Sequence, residues 1–244
     1  MEITKREILA SISILAIMVG LGVWLSGPIM TKATEKYLRV AASVMADTDD
    51  KFDYIARTDV GDFIAEGTLS VIDTIRLEEL SGGYSYVKKA KEEYRQHIET
   101  YTTTDSKGHT HVHTRTYWSW DVMKTWKYAS ERARFLGKEF AMKDVYSPVS
   151  KRDVVIDAPR KMFENKTRYV YYTAPPSFDG IMVGSAMNKQ YIKPSFIEGM
   201  TPEGYIKKAE KSLNNGTTAF WVLWLLFTAG LIVGFYYLEN KWLY

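Results

Sequence analysis

The chain has 244 residues, a formal net charge of +3 at pH 7 and no cysteine. A small charge of mixed sign argues against a dedicated nucleic-acid-binding protein. The lack of cysteine excludes disulfides, thiolate nucleophiles and cysteine-ligated zinc. Aromatic residues make up 14% of the chain, a content typical of β-structure and of membrane-interface positions.

Two charge-free stretches, residues 8–31 and 212–238, lie near the ends of the chain. A helix rises about 1.5 Å per residue and the hydrocarbon core is about 30 Å thick, so each stretch is long enough to cross a bilayer. The first is longer than the apolar core of a typical signal peptide, which favours an uncleaved anchor. We predict transmembrane helices at 8–29 and 217–238, with short tails at 1–7 and 239–244.

Basic residues beside the two spans bear on their orientation. Lys5, Arg6 and Lys241 favour cytoplasmic termini, and therefore a cell-membrane protein whose central domain is extracytoplasmic. Six others lie on the domain side: Lys32, Lys36, Arg39, Lys207, Lys208 and Lys211. These six count for less, because long loops are translocated largely regardless of their charge.

The segment between the spans changes character along its length. Residues 30–50 are predicted to form a membrane-proximal helix and linker, with helical periodicity over 32–48. Residues 51–200 are predicted to form one β-rich domain, beginning with a strand at 63–72. Thr201 and Pro202 have the chemistry of a helix start, so we predict a second membrane-proximal helix at 201–215. The expected fold class is α+β, with two transmembrane helices flanking an antiparallel, hairpin-containing domain.

A long hairpin is the clearest local prediction inside the domain. Two runs rich in Tyr, Thr and Val flank Asp105-Ser106-Lys107-Gly108, which has the chemistry of a type I turn. If the turn closes Asp105 against Gly108, Thr100 faces His113 and His97 lies on the face opposite the other histidines.

The rest of the domain is less regular. Residues 123–134 have helical spacing, although periodicity alone does not decide whether the following residues extend a helix or form a strand. Strands are predicted at 153–156 and 167–173. Asp179-Gly180 is predicted to be the turn of a second hairpin, between the 167–173 strand and residues 181–183.

His109, His111 and His113 alternate along one predicted strand. Alternate residues share a face, so three imidazoles on that face form a candidate metal site. The competing interpretation is a solvated hairpin face that carries no ion. Alternation also places Trp118 and Trp120 together, and we expect them to pack in the core rather than to form a ligand platform.

Small residues recur at four-residue spacing in both spans. The second carries Gly230 and Gly234, and the first carries the pairs Ala16/Gly20 and Gly22/Ser26. Small residues let helices approach closely inside a membrane. Self-association between copies is one interpretation; the others are packing of the two spans of one chain and the general enrichment of glycine in transmembrane helices.

Catalytic signatures are lacking in this sequence. Ser, His and Asp are present, but none lies in a G-x-S-x-G, H-E-x-x-H or phosphate-binding glycine motif. An enzyme of unknown type is therefore the least favoured of the alternatives, and we expect no cofactor.

Two segments of the hairpin, YRQHIETY at 94–101 and TRTYWSW at 114–120, resemble the hairpin of the LUMA (transmembrane protein 43) family. The arrangement of span, domain and span is more distantly similar to the "beside a membrane" domain of mitochondrial E3 ubiquitin ligases. The residues at 108–111 are also similar to a turn in two-span proteins of Gram-positive bacteria and their phages. LUMA proteins have further C-terminal spans, and the ligases end in a cysteine-rich RING that this chain lacks. The resemblance implies a membrane-organising role without ligase activity.

The leading hypothesis is a membrane-anchored scaffold or interaction protein that displays a β-rich domain next to the bilayer. Its expected partners are the lipid bilayer and either copies of itself or other membrane proteins, with no nucleic acid. The alternative is a module that binds a metal or small ligand through the histidine hairpin.

Overall fold

The computed structural model describes residues 5–159 and 165–242. It is α+β, as predicted, with an antiparallel β-rich domain between two long apolar helices. Both helices are long and apolar enough to cross a membrane by length and composition. In chain order the elements are α1 (Lys5–Ala41), β1 (Val44–Ala46), α2 (Asp49–Thr58), β2 (Gly61–Val71), β3 (Tyr86–Thr104), β4 (Thr110–Ala129), β5 (Arg132–Phe135), β6 (Lys138–Ala141), α3 (Met142–Val145), β7 (Lys151–Asp157), β8 (Thr167–Ala174), β9 (Ser177–Met187), β10 (Gln190–Glu198) and α4 (Pro202–Trp242).

Each terminal helix continues without a break from its charge-free stretch into the adjoining charged segment. α1 passes through Pro28 and ends at Ala41, so the helix predicted over 32–48 is too long. Val44–Ala46 instead forms a strand parallel to Phe63–Ala65. The gain from this non-local pairing overrides the local helical periodicity, which covers only a few residues here.

α4 starts where the sequence predicts. The Thr201 hydroxyl accepts the backbone N–H of Gly204 at 3.2 Å, and the Thr201 carbonyl accepts the N–H of Tyr205 at 2.9 Å. Pro202 occupies the first helical position, where a missing N–H costs nothing.

α1 and α4 pack against each other as an antiparallel pair. Arg6 and Glu239 form an ion pair of 2.7 Å near one end of the pair. Midway, the Trp224 indole N–H donates to the carbonyl of Met18 at 2.9 Å. At the other end, Tyr37 and Tyr205 line a cavity between the helices.

The strands form two sheets. One has the order β10-β9-β2-β5-β6, with β1 paired in addition to β2. The other has the order β4-β3-β8-β7. The chain passes from the second sheet to the first between β8 and β9, at Pro175-Pro176, where proline ends the strand ladder.

The predicted second hairpin is wrong in its location. Asp179 and Gly180 lie inside β9, which pairs with β10 and β2 rather than with β8. Gly180 is required by close packing and not by a turn, because a Cβ atom there would clash with the backbone carbonyl of Ile197. A glycine within a strand often marks such a close backbone approach.

The helical interpretation of residues 123–134 is also wrong. β4 continues to Ala129, paired with β3 across a bulge at Lys91/Glu92, and β5 follows at Arg132. Apolar side chains in this segment recur every three to four residues although it is a strand. β4 is an edge strand of its sheet, and one of its faces is not packed, so strict alternation of apolar and polar residues is not required.

Asp73 joins the two sheets after β2. Its carboxylate accepts the Ser130 hydroxyl at 2.8 Å and the N–H groups of Glu131 and Arg132 at 2.8 and 3.0 Å. Burial alone would raise the pKa of Asp73, but these donors prevail and lower it to about 2. The carboxylate therefore stays ionised and holds the end of β4 beside β2.

The main core lies between α2 and the larger sheet. Phe52 of α2 is fully buried, stacks on Tyr191 at 4.4 Å and contacts Phe63 and Phe135 edge-on at 5.6 Å each. A smaller cluster of Leu80, Val87 and Tyr171 lies elsewhere in the domain. The amphipathic α2 thus closes the sheet to which both terminal helices connect.

We expect Phe52→Ala to destabilise the domain by about 3–5 kcal/mol, because it removes a buried ring and leaves a cavity among three others. Tyr54→Ala is the matched control on the same helix, since Tyr54 is 57% exposed. Chemical denaturation of the full chain in mild detergent, followed by circular dichroism, measures both changes. Equal losses for the two variants would contradict the assignment of this core.

Candidate interaction surface

The β3–β4 hairpin is longer than the sheet that supports it. β8 pairs with β3 only as far as Thr167 opposite Glu93. The paired strands of the hairpin continue from Tyr94 to Thr104 and back from Thr110. Within the described chain this part has two strands only, and both of its faces are open.

The turn fixes the register of the hairpin. The Asp105 carboxylate accepts the N–H groups of Lys107 and His109, each at 2.9 Å. The Asp105 N–H donates to the His109 carbonyl at 2.9 Å, and Gly108 takes a φ of +84°. This is a three-residue loop whose last residue is left-handed, a common hairpin connection that favours glycine.

The predicted register is therefore wrong by one residue. The Gly108 N–H does donate to the Asp105 carbonyl at 3.1 Å, as the predicted turn requires, but the Asp105 N–H bonds His109, so the strands pair from Asp105 and His109 outward. Thr100 therefore lies opposite Thr114 and Tyr101 opposite His113. A shift of one residue changes which side chains share a face. His97 lies opposite Tyr117, so it shares a face with His109, His111 and His113, contrary to the prediction.

The four histidines do not converge on one point. His109 and His111 lie 3.2 and 3.6 Å from the Asp105 carboxylate. His113 is 2.8 Å from the Thr103 hydroxyl, and His97 is 2.8 Å from Asp121. Among the residues that the structure describes, no three His, Asp or Glu side chains form a group that could hold a metal ion.

Hydrogen bonds at the turn favour an ionised Asp105. The N–H of His109 is the main cause of a lowered pKa for Asp105, followed by the N–H of Lys107 and the His109 and His111 side chains. The carboxylate thus acts as the acceptor that closes the turn, which is the role of Asp at this position in many loops.

The histidine-bearing face, here called the charged face, makes most of its bonds internally. His97 stacks on Tyr117 at 5.2 Å and His113 on Tyr101 at 5.3 Å. The Arg115 guanidinium lies 5.6 Å from the centre of the Tyr117 ring. Cross-strand pairs of this kind stabilise a two-stranded ribbon that has no third strand.

The opposite face carries no charged side chain. It consists of Tyr94, Gln96, Ile98, Thr100, Thr102, Thr104, Thr110, Val112, Thr114, Thr116, Trp118 and Trp120, and is here called the uncharged face. Ile98, Val112 and Trp118 are 70%, 68% and 51% exposed. An aligned run of exposed β-branched and aromatic side chains is typical of a surface that is covered by something else.

The expectation that both tryptophans are core residues is wrong for Trp118, which is exposed and stacks on Tyr94 at 5.4 Å. Trp120 is half-buried at the base of the uncharged face, where Arg168 of β8 lies 4.0 Å from its ring centre. Arg168 also bonds Glu92 at 2.7 Å. The sequence holds no local signal for this contact, because it joins strands far apart in the chain.

The small residues of the two long helices fall into two groups. Gly22 and Ser26 lie in the contact between α1 and α4; a Cβ atom on Gly22 would be 2.5 Å from the Trp224 indole nitrogen. By contrast, Cβ atoms added to Gly20, Gly230 and Gly234 would meet no atom within 4 Å. Ala16 is likewise exposed. Association of copies through this second group stays a prediction.

Comparisons with family models, curated proteins and solved structures find no match to this chain. The resemblance of the hairpin to the LUMA family therefore stays a prediction, and the function has to be argued from the surfaces described above.

We expect Asp105→Ala to shift the amide proton resonances of Lys107 and His109 to the positions of free amides, because both lose their acceptor. In the wild-type chain the same two resonances should move together as the pH falls below about 4, through the lowered pKa of Asp105. Ser106→Ala, which alters the turn without removing an acceptor, is the control. If the chemical shifts of these two amide protons change neither in Asp105→Ala nor at acid pH, the role assigned to this carboxylate is contradicted.

Proposed function

We propose that this protein is a membrane-anchored scaffold whose copies associate through the uncharged face of the hairpin. In this proposal α1 and α4 cross one bilayer as a pair, and the β-rich domain stands on one side of it. The single observation that carries the proposal is the uncharged face, an exposed run of β-branched and aromatic side chains without a charge.

The exposed surface of the helix pair supports the anchor. In the most apolar 18 residues of each helix, only 11% of the residues of α1 and 6% of those of α4 are buried. The core helix of a soluble fold is mostly buried, so these two helices do not resemble one. Large apolar side chains point outward on both helices, among them Trp24 and Val233. A surface of this extent and composition is stable only in a non-aqueous surrounding.

The polar groups within the apolar stretches are consistent with this surrounding. Ser13, Ser26 and Thr228 each donate to a backbone carbonyl of their own helix. Ser11 bonds Tyr236 across the pair at 3.0 Å. Hydroxyls inside hydrocarbon need such partners, because no water is available to them.

The charged segments of the two helices, residues 32–41 of α1 and 202–211 of α4, form what we call the stalk. Ten helical residues rise roughly 15 Å, so the stalk sets the domain beyond the headgroups rather than directly on the hydrocarbon. The antiparallel pair puts both termini on the other side. Lys5, Arg6 and Lys241 favour a cytoplasmic location for them and an extracytoplasmic domain.

Association between copies, rather than with a different protein, is supported by the chemistry of the face. It offers no charge to select a partner of opposite sign, and for the same reason it does not repel its own copy. Two hairpins facing each other by a twofold axis would bring β-branched and aromatic side chains together on both sides, as in packed sheets.

The size of the face predicts a weak contact. Residues 94–104 extend roughly 35 Å and two strands are roughly 10 Å wide, which gives about 700 Å² for two copies together. Specific soluble complexes bury about 1,200–2,000 Å². Confinement of copies in one membrane raises their effective concentration, so the contact suits clustering in a bilayer and not a stable dimer in solution.

Because the chain has no cysteine, single-cysteine variants report on this contact directly. We expect full-length Ile98→Cys and Val112→Cys, in membranes, to form dimers with a flexible bis-maleimide. Their neighbours Glu99→Cys and His111→Cys lie on the charged face and are the matched controls. We expect them to cross-link at least several-fold less, and equal cross-linking from both faces, or none from either, would refute the proposed association.

The Val112→Cys variant also reports on anchoring and orientation. We expect the protein to stay in the membrane fraction after alkaline carbonate extraction, and a membrane-impermeant maleimide to label the single thiol of this variant in intact cells. Labelling that appears only after lysis would reverse the proposed orientation. Release by carbonate would refute the anchor itself.

A further inference from the structure

A cavity of about 200 Å³ lies between α1 and α4 at the level of the stalk. Its lining residues are Ala33, Lys36, Tyr37, Val40, Tyr205, Lys208, Ala209, Ser212 and Leu213. The charge-free stretch of α1 ends at Thr31 and that of α4 begins at Ser212. The cavity therefore lies where both helices change from apolar to charged.

The depth of this cavity follows from helix geometry, and it rests on the proposed membrane anchor. Residues 33–40 lie about 3–14 Å beyond Thr31 along the helix axis. The headgroup layer on each side of a bilayer is about 5–8 Å thick. The predicted spans end at residues 29 and 217, about 6 Å short of the nearest lining residue on each helix, so the cavity begins within the headgroup layer on the domain side.

The polar part of the lining consists of hydrogen-bond donors with no carboxylate among them. Lys36 and Lys208, both exposed, contribute one lysine from each helix, and Tyr37, Tyr205 and Ser212 are the hydroxyl-bearing residues of the lining. In the described part of the chain neither lysine has an ion-pair partner. Two unpaired cations and three hydroxyls suit the several acceptor oxygens of one phosphate group.

The remaining lining is apolar and aliphatic, from Ala33, Val40, Ala209 and Leu213. A free inorganic anion makes no favourable contact with these apolar side chains, whereas the glycerol and upper acyl carbons of a lipid can pack against them. A choline headgroup brings its own cation close to two lysines, so the lining disfavours zwitterionic phosphatidylcholine. Basic pockets between transmembrane helices, described for the cytoplasmic or matrix side, bind anionic lipid headgroups.

We propose that this cavity binds the phosphate headgroup of an anionic phospholipid from the leaflet on the domain side. The lipid phosphate lies between Lys36 and Lys208, and its glycerol and acyl carbons contact the aliphatic wall. The bound lipid bridges α1 and α4 where the two helices leave the hydrocarbon.

Other basic residues of the stalk allow a sharp control. Lys32 and Lys207 lie on the same two helices within four residues of the proposed ligands, but do not line the cavity. Lys32→Gln/Lys207→Gln removes the same charge as Lys36→Gln/Lys208→Gln. General attraction to an anionic surface therefore falls equally in the two double variants, and only a specific site distinguishes them.

The test is native mass spectrometry of the full-length protein in detergent, titrated with dioctanoyl phosphatidylglycerol, dioctanoyl phosphatidylcholine or inorganic phosphate. We expect saturable binding of phosphatidylglycerol, and binding of the other two at least about tenfold weaker. Lys36→Gln/Lys208→Gln should weaken phosphatidylglycerol binding at least about tenfold, and Lys32→Gln/Lys207→Gln less than about threefold. Ala209→Trp, which fills the cavity without changing charge, should abolish binding.

Three results overturn the inference: equal losses in the two lysine pairs, unchanged binding by Ala209→Trp, or phosphate that binds as tightly as the lipid, which would indicate a free-anion site. Failure of the anchor is seen separately, as release of the wild-type chain from membranes by carbonate before any lipid is added. The lysine variants should still cross-link when each is combined with Val112→Cys, so loss of lipid binding is separable from loss of association.

Discussion

The packing of α1 against α4 is the contact on which the rest of the molecule depends. Gly22 leaves room for the indole of Trp224, and that indole donates to the Met18 carbonyl one helical turn earlier in α1. A polar group inside an apolar helix pair is tolerated only when it has such a partner. Because the two helices approach this closely, the chain enters and leaves the β-domain at neighbouring points, and the domain hangs from one end of a single helical pair.

The hairpin shows how a two-stranded ribbon persists beyond its sheet. A bare hairpin is marginally stable in water, and three or more strands are ordinarily needed. Here contacts on the charged face provide the additional stabilisation: the His97–Asp121 pair, the stack of His97 on Tyr117 and the Thr103–His113 hydrogen bond. All four histidines thus have a hydrogen-bond or ion-pair partner within this face. Nothing in the described chain covers either face beyond Glu93, and of the two only the uncharged face lacks charged side chains.

Local sequence signals predict local structure well here, and non-local contacts poorly. The two apolar helices, the long hairpin and the Thr201 cap follow from composition and short-range chemistry. The register of the hairpin does not follow from these signals. The loop has three residues where the turn chemistry predicts two, so every residue of β3 pairs one position further along β4, and His97 shares a face with the other histidines. Gly180 is likewise predicted to be a turn residue. It is required by the close approach of β10, and the sequence around Gly180 does not show that β10 lies beside it. The cavity of the stalk likewise needs two helices from opposite ends of the chain.

The two proposed surfaces differ in chemistry and act independently. In the proposed arrangement the lysines of the stalk lie at headgroup depth and respond to the charge of the lipid, whereas the hairpin face is neutral and does not. A face of about 700 Å² for two copies does not hold a complex in solution, so any assembly through it depends on how firmly and how uniformly the helix pair is held in the bilayer. The membrane anchor is then needed for the interaction, because it raises the effective concentration of the copies and aligns their hairpins, which compensates for the small area of the face.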